Sequence, residues 1–440
     1  MSRSIAVVVV LVVLASLTTG MVGATDIAEF GGYEGSVSPT TGGDATLGGA
    51  SVGDAPIDSA ADPEPAAVRV GVIGSGFDSG HPALSGRVSA HGRIAGPSLA
   101  FDGPASTSHD TAVAEIVADR TEGAGLYLVG VGSQPTPGEY ARAVDWLLAN
   151  DVDVIVDSGS YFPATAGGKE RIAGAAERAA DDGTVFVTSA GNYAKRHWRG
   201  TPEAEGWIEF DGDVQGNRLG EGSVSGEVTL RLYWDGSADY DLYLYRDLPG
   251  RDDPVVAKST RESGNAEAID ETLPTGNYYV AIYAREPGDE PVDLFATERS
   301  LAVAGAAGST VAPANTEGVI TVGAVDDSGT VASYSSGGAD VSAPGSADTH
   351  VAGRFSGTSA AAPMVAGAVA SMRDDGSLTP AQVEAILRRT AEGDERTVDI
   401  RAALEAAANA SAPNGTAAAD ASRPPRSGAN TSAPEPYPGP

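Results

Sequence analysis

Ser359 stands in a setting suited to a nucleophile. It closes the turn Gly357-Thr358-Ser359 and opens the run Ala360-Ala361-Ala362-Pro363-Met364-Val365-Ala366-Gly367-Ala368-Val369-Ala370, which is apolar or small on every side. A helix without a polar face belongs inside a large domain or a membrane, and this one is too short to span a bilayer. Its Ala and Gly content lets neighbours come close. Pro363 is expected in the first turn, where a missing N–H costs little. Unpaired N–H groups and the helix dipole favour negative charge at such an N-terminus, so a hydroxyl there could attack a carbonyl and build an oxyanion. The same residues also fit a packing helix that merely begins with Ser, a common cap. This segment alone leaves both readings open.

The stretch from Gly357 to Gly367 resembles the nucleophile motif of the subtilisin-like serine peptidases, or subtilases. The resemblance implies three further stations upstream, in fixed order. Ala190-Gly191-Asn192 resembles the strand end that carries the oxyanion amide, here Asn192. Ser108-His109-Asp110-Thr111-Ala112-Val113-Ala114 resembles the segment of the general base, here His109 at a helix start, with Asp110 where the family has Gly. The first station departs. Gly80-His81-Pro82-Ala83-Leu84 follows the family's pattern, but counting back seven from His81 reaches Gly74, where the orienting carboxylate belongs. In subtilisin, removing that Asp lowers turnover about 3 × 10⁴-fold while residual catalysis remains. Asp78 and Asp110 are the nearby carboxylates that could substitute. Asp110, at a helix start, is expected to serve the dipole instead, and Gly74→Asp is expected to raise activity.

If the resemblance holds, Ser359 attacks a peptide carbonyl, and His109 takes its proton and later delivers it to the leaving amine. The Asn192 side chain and the Ser359 N–H stabilise the oxyanion. The strand end Ser158-Gly159-Ser160 would pair with extended peptide. No metal cofactor is required, and no HExxH motif occurs. Two functions remain open: a secreted endopeptidase of reduced activity, and a pseudopeptidase that binds extended peptide or a protein partner by strand addition. A weaker third option is carbohydrate or surface binding through the tyrosines of residues 197–303.

The elements that must position these groups alternate. Val68-Arg69-Val70-Gly71-Val72-Ile73, Val152-Asp153-Val154-Ile155-Val156 and Thr184-Val185-Phe186-Val187 read as buried strands, with helical spacing over 138–150 and 173–180. This is an α/β pattern, a parallel sheet with helices on both faces. Val319-Ile320-Thr321-Val322-Gly323-Ala324-Val325 continues it, and Thr379-Pro380-Ala381-Gln382 predicts a capped helix. Between them the period changes to two in Val228-Thr229-Leu230-Arg231-Leu232-Tyr233 and Tyr240-Asp241-Leu242-Tyr243-Leu244-Tyr245. That predicts an inserted antiparallel β-sandwich of roughly 100 residues, which resembles the jelly-roll domains attached to secreted peptidases. Asp235, Asp239 and Asp241 in it could hold a structural Ca²⁺, although solvated turn carboxylates fit them as well.

The resulting partition is a signal peptide at 1–24 and a flexible linker at 25–66. Two peptidase parts at 67–196 and 304–405 flank the insert at 197–303, and a disordered tail occupies 406–440. The positive start, short apolar run and Val22-Gly23-Ala24 predict export, leaving no stable membrane association after cleavage. Residues 25–66 are too short and polar to resemble an inhibitory propeptide, so autoprocessing is not expected. The chain has 440 residues and no Cys, which excludes thiol catalysis and disulfide staples. Its 60 acidic residues outnumber 28 basic ones for a net charge of −32. Such a surface repels nucleic acid, and the pattern resembles that of halophile proteins, in which salt screens the self-repulsion. The tail carries sequons at Asn409, Asn414 and Asn430.

Overall fold

The computed structural model describes residues 68–96, 98–100, 108–373 and 378–411. The signal segment, the linker and the tail from 412 onward lie outside the described residues.

The apolar runs β1 (Arg69–Gly74), β4 (Gly125–Gly130), β5 (Val154–Asp157) and β6 (Val185–Ser189) become parallel strands because both of their faces are covered. Beside β4 follow the more exposed β2 (Val88–Ala95) and then β3 (Ser98–Ala100). The insert supplies β7 (His197–Gly200), β8 (Gly206–Trp207), β9 (Asn217–Arg218), β10 (Val224–Tyr233), β11 (Asp239–Asp247), β12 (Val255–Ser259), β13 (Ala266–Glu286) and β14 (Val292–Ala296). The peptidase texture then returns with β15 (Val319–Val325) and β16 (Val341–Pro344), and a hairpin of β17 (Ser346–Thr349) and β18 (Gly353–Ser356) follows. The main sheet runs β16-β15-β6-β5-β1-β4-β2-β3, parallel throughout except for β3 at one edge. Parallel strands end on one rim. The adjacent β1, β5 and β6 therefore deliver Gly74, Ser158 and Asn192 side by side.

Helices α1 (Ser108–Arg120) and α4 (Thr358–Met372) share one apolar core on one side of the sheet. Helices α2 (Pro137–Ala149) and α3 (Ala166–Asp181) build a second core. Helix α4 is buried at every position but Ser371, which explains its lack of a polar face. A Cβ at Gly367 would stand 2.4 Å from Arg120 Cβ, so glycine there is what lets α1 and α4 touch. Helix α6 (Ile400–Ser411) packs on α4, and α5 (Pro380–Thr390) packs on α6 and β6. Thr379 and Gln382 cap α5 reciprocally, as the sequence predicts. Residues 406–411 belong to α6, with Ala407 buried, so the expected tail cannot begin at 406.

Pro363 also departs from expectation. It is the sixth residue of α4, beyond the first turn, and it removes the N–H that would reach the Ser359 carbonyl four residues back.

The insert is antiparallel, in the order β12-β11-β13-β10-β14-β7. The 21-residue β13 spans both halves, pairing β10 with its first part and β11 with its second. Leu230, Leu232, Leu242, Leu244, Val280 and Ile282 form its own core. It is also tied to the peptidase part. Arg231 donates to the Phe162 carbonyl (2.9 Å), Tyr233 donates to that of Pro163 (2.7 Å), and Phe295 meets Phe162 and Tyr193.

Candidate active site

His109 enters α1 at its second residue with its side chain 32% exposed. Its Nδ1 lies 2.7 Å from Asp110 Oδ1. The other carboxylate oxygen of Asp110 accepts from Ser75 N–H (2.7 Å), Ser75 Oγ–H (2.6 Å) and Gly76 N–H (3.2 Å), all just past the end of β1. A Cβ at Gly74 would stand 2.6 Å from Asp110 Cγ and 2.7 Å from its Cβ. The carboxylate beside the imidazole therefore fills the space of a side chain at 74, and it comes from the helix instead of the strand. Asp110 is not left to serve the helix dipole. Gly74→Asp, expected to restore the site, has no room beside Asp110. Asp78 lies exposed in the following turn, where its N–H donates to Thr111 Oγ1 (2.9 Å).

Ser359 is the second residue of α4 and is buried. Its hydroxyl donates to the Ser158 carbonyl at 3.2 Å, and the Ser158 hydroxyl donates back to the Ser359 carbonyl at 3.3 Å. Pro363 explains the second bond, since the Ser359 carbonyl has lost its helical donor. In this arrangement the Ser359 hydroxyl is turned to Ser158 and not to the imidazole. Phe355, four residues before Ser359, meets the His109 ring edge-on at 5.1 Å.

Asn192 follows β6. Its Oδ1 accepts from Thr358 N–H and Thr358 Oγ1–H, each at 3.1 Å, which fixes the orientation of the amide. Its Nδ2 then faces Gly357, where an added Cβ would stand 3.1 Å away. Gly357 has φ +120°, a conformation that side chains resist. From behind, Ser336 donates its N–H to the Gly191 carbonyl (2.9 Å) and accepts at Oγ from Tyr193 N–H (3.1 Å).

Ser158, Gly159 and Ser160 continue the end of β5 beside these groups. Beneath them Asp157 is fully buried, accepting from Tyr140 Oη–H (2.8 Å), Gly159 N–H (2.8 Å) and Tyr161 Oη–H (3.1 Å). Burial pushes its carboxyl up to about 6, and the charge of Asp110 adds to the rise. Sequence reasoning missed Asp157 as an ionisable group, although a carboxylate ending an apolar strand was the signal. The calcium candidates form no group of three. Asp241 is buried against Arg285 (2.6 Å) and accepts from Tyr243 Oη–H (3.0 Å). Among the described residues, no group of three or more carboxylates or histidines could hold a metal ion.

The arrangement is an imidazole oriented by a carboxylate, a hydroxyl at a buried helix N-terminus and a fixed amide at an adjacent strand end. The family model of the subtilases (Peptidase_S8) matches residues 66–217 and 292–420, more than half of the chain. The chain belongs to the subtilase family. Between the two matched parts of this subtilase lies the unmatched stretch 218–291, which falls in the insert. Among solved structures it is similar to the CspB protease of Clostridium perfringens, at 17% identity and TM-score 0.57, covering 78% of this chain and 94% of that one. It is also similar to the nisin leader peptidase NisP of Lactococcus lactis, at 16% identity and TM-score 0.45, covering 78% and 88%. No curated protein sequence matched it. The subtilase family is one of serine peptidases, and the similarity to CspB is one of fold.

Proposed function

We propose that this subtilase is a secreted serine endopeptidase whose orienting carboxylate is Asp110. The observation that carries the reading is the 2.7 Å contact between His109 Nδ1 and Asp110 Oδ1. A carboxylate on Nδ1 holds the imidazole in the tautomer whose Nε2 accepts a proton, and it stabilises the imidazolium that follows. Ser359 attacks the scissile carbonyl, and its proton passes to His109 Nε2. The negative oxygen is met by Asn192 Nδ2 and the Ser359 N–H. Collapse expels the amine, protonated by His109, and water repeats the sequence on the acyl-enzyme. Extended peptide pairs with Ser158, Gly159 and Ser160. With the carboxylate supplied by the helix, the reduced activity expected from Gly74 no longer follows.

A second reading, a peptide-binding pseudopeptidase, is favoured by the Ser359 hydroxyl bonding to Ser158. Fluorophosphonate labelling of purified protein in high salt separates the two. Labelling that disappears in Ser359→Ala, together with hydrolysis of unstructured protein, supports the enzyme. An unlabelled, folded wild type supports the binder.

A further inference from the structure

Glu115 lies six residues after His109 on the same helix, and it is wholly buried on a segment otherwise lined by Ala, Val and Ile. A buried carboxylate is costly unless its oxygens are satisfied. Its oxygens go to one place, the tip of the β17–β18 hairpin. Oε1 accepts from His350 N–H (2.6 Å) and lies 2.7 Å from His350 Nδ1, and Oε2 accepts from Val351 N–H (3.0 Å). The bonds span 235 or 236 residues and join the helix of the base to the hairpin leading into the nucleophile. Strand β18 then carries Phe355 to the edge of His109, and the Gly357 N–H is tied back to the Gly345 carbonyl at 2.9 Å. His350 itself is 86% exposed, so the carboxylate is buried to hold backbone amides and not to hide a pair.

We propose that Glu115 is a positioning residue for hydrolysis, fixing the hairpin that sets Phe355 against His109 and leads into Ser359; this rests on the endopeptidase reading above. The sequence gives no other reason for a carboxylate here, because an apolar residue would pack this face of α1 without desolvating a charge. Displacement of reacting groups by about 1 Å can cost 10²-fold in rate, so modest loosening of the hairpin registers in turnover before it registers in global fold.

The test uses the full chain in high salt, well below its melting temperature. In Glu115→Gln one amide N–H₂ replaces an oxygen and faces a backbone donor. The expected result is labelling of Ser359 by a fluorophosphonate slowed at least about tenfold, with kcat lowered and KM kept. A shifted Nδ1 proton resonance of His109 should accompany it. Asp340→Asn, which removes a carboxylate bonded to Thr321 N–H and Arg388, is the comparison for simple loss of stability. Labelling within about twofold of wild type, with the His109 resonance unmoved, overturns the proposal. If Glu115→Gln does not fold, Glu115→Asp decides, because it keeps the charge but draws the carboxylate back from the His350 and Val351 amides: a drop in kcat of about threefold or more supports the proposal, and an unchanged kcat overturns it. If wild type does not label, the endopeptidase reading fails by itself, and the His109 resonance in the variant still decides whether Glu115 positions that ring.

Discussion

Asp110 occupies the volume that a side chain at Gly74 would need, with 2.6 Å between the Asp110 Cγ and an ideal Cβ at 74. The two positions are therefore coupled. Where the family has a carboxylate on the strand and glycine on the helix, this chain has the reverse, and only one of the two sites has room for a side chain.

Asp110→Asn should leave the fold intact, because the amide can still occupy the space beside Ser75. It should lower kcat about 10⁴-fold, since Nδ1 of His109 no longer faces an anion. Steady-state hydrolysis of a peptide substrate measures this. A loss below tenfold would show that Asp110 does not serve the imidazole.

Gly74→Asp alone should cost activity and about 1–3 kcal/mol of stability, through overpacking against Asp110. The exchange Gly74→Asp with Asp110→Gly should recover much of what either change loses, as contacting residues are non-additive. Thermal melts and kcat of the three variants check it. Additive losses would exclude the coupling.

Asn192→Ala should reduce kcat about 10²–10³-fold with little change in KM, the size expected for one oxyanion donor. Thr358→Val should follow in the same direction and less steeply, because it removes one of the two bonds orienting the amide. A rise in KM alone would point to a role in binding.

Asp157 gives a pH dependence. Burial pushes its carboxyl up to about 6, whereas an unfolded Asp titrates near 3.9. Between these values the folded state retains a proton that the unfolded chain has released. This group therefore favours folding at the acid end, and its contribution is lost as pH rises through about 6, on the order of 3 kcal/mol in all. Melting temperatures of wild type minus Asp157→Asn should fall from pH 4.5 to pH 7.5. A difference independent of pH would exclude the shift.

The alternation of strands and helices, the capped α5 and the period-two insert were legible because each rests on local pattern. So were the settings of Ser359 and Asn192, where a helix start and a strand end meet the same sheet rim. Asp110 was not, because residues adjacent on a helix normally diverge. Its approach to its own neighbour's ring depends on donors from Ser75 and Gly76, 35 and 34 residues away. The signal was present as a pair, a side chain lost at 74 and one gained at 110, but only packing shows that the two share one volume. Pro363 was misplaced because the turn Gly357-Thr358-Ser359 already contains the helix start, so α4 begins earlier than its apolar run.

The dipeptide His109-Asp110 has a consequence beyond this site. An imidazole and its counter-ion borne on neighbouring residues of a single helix move as one body, so breathing between helix and sheet need not separate them. The strand is asked only for backbone amides and a hydroxyl, which many sequences can furnish. Such a unit is transplantable: a scaffold that offers two N–H groups beside a helix start, and an empty volume behind them, could host it without supplying an acid of its own.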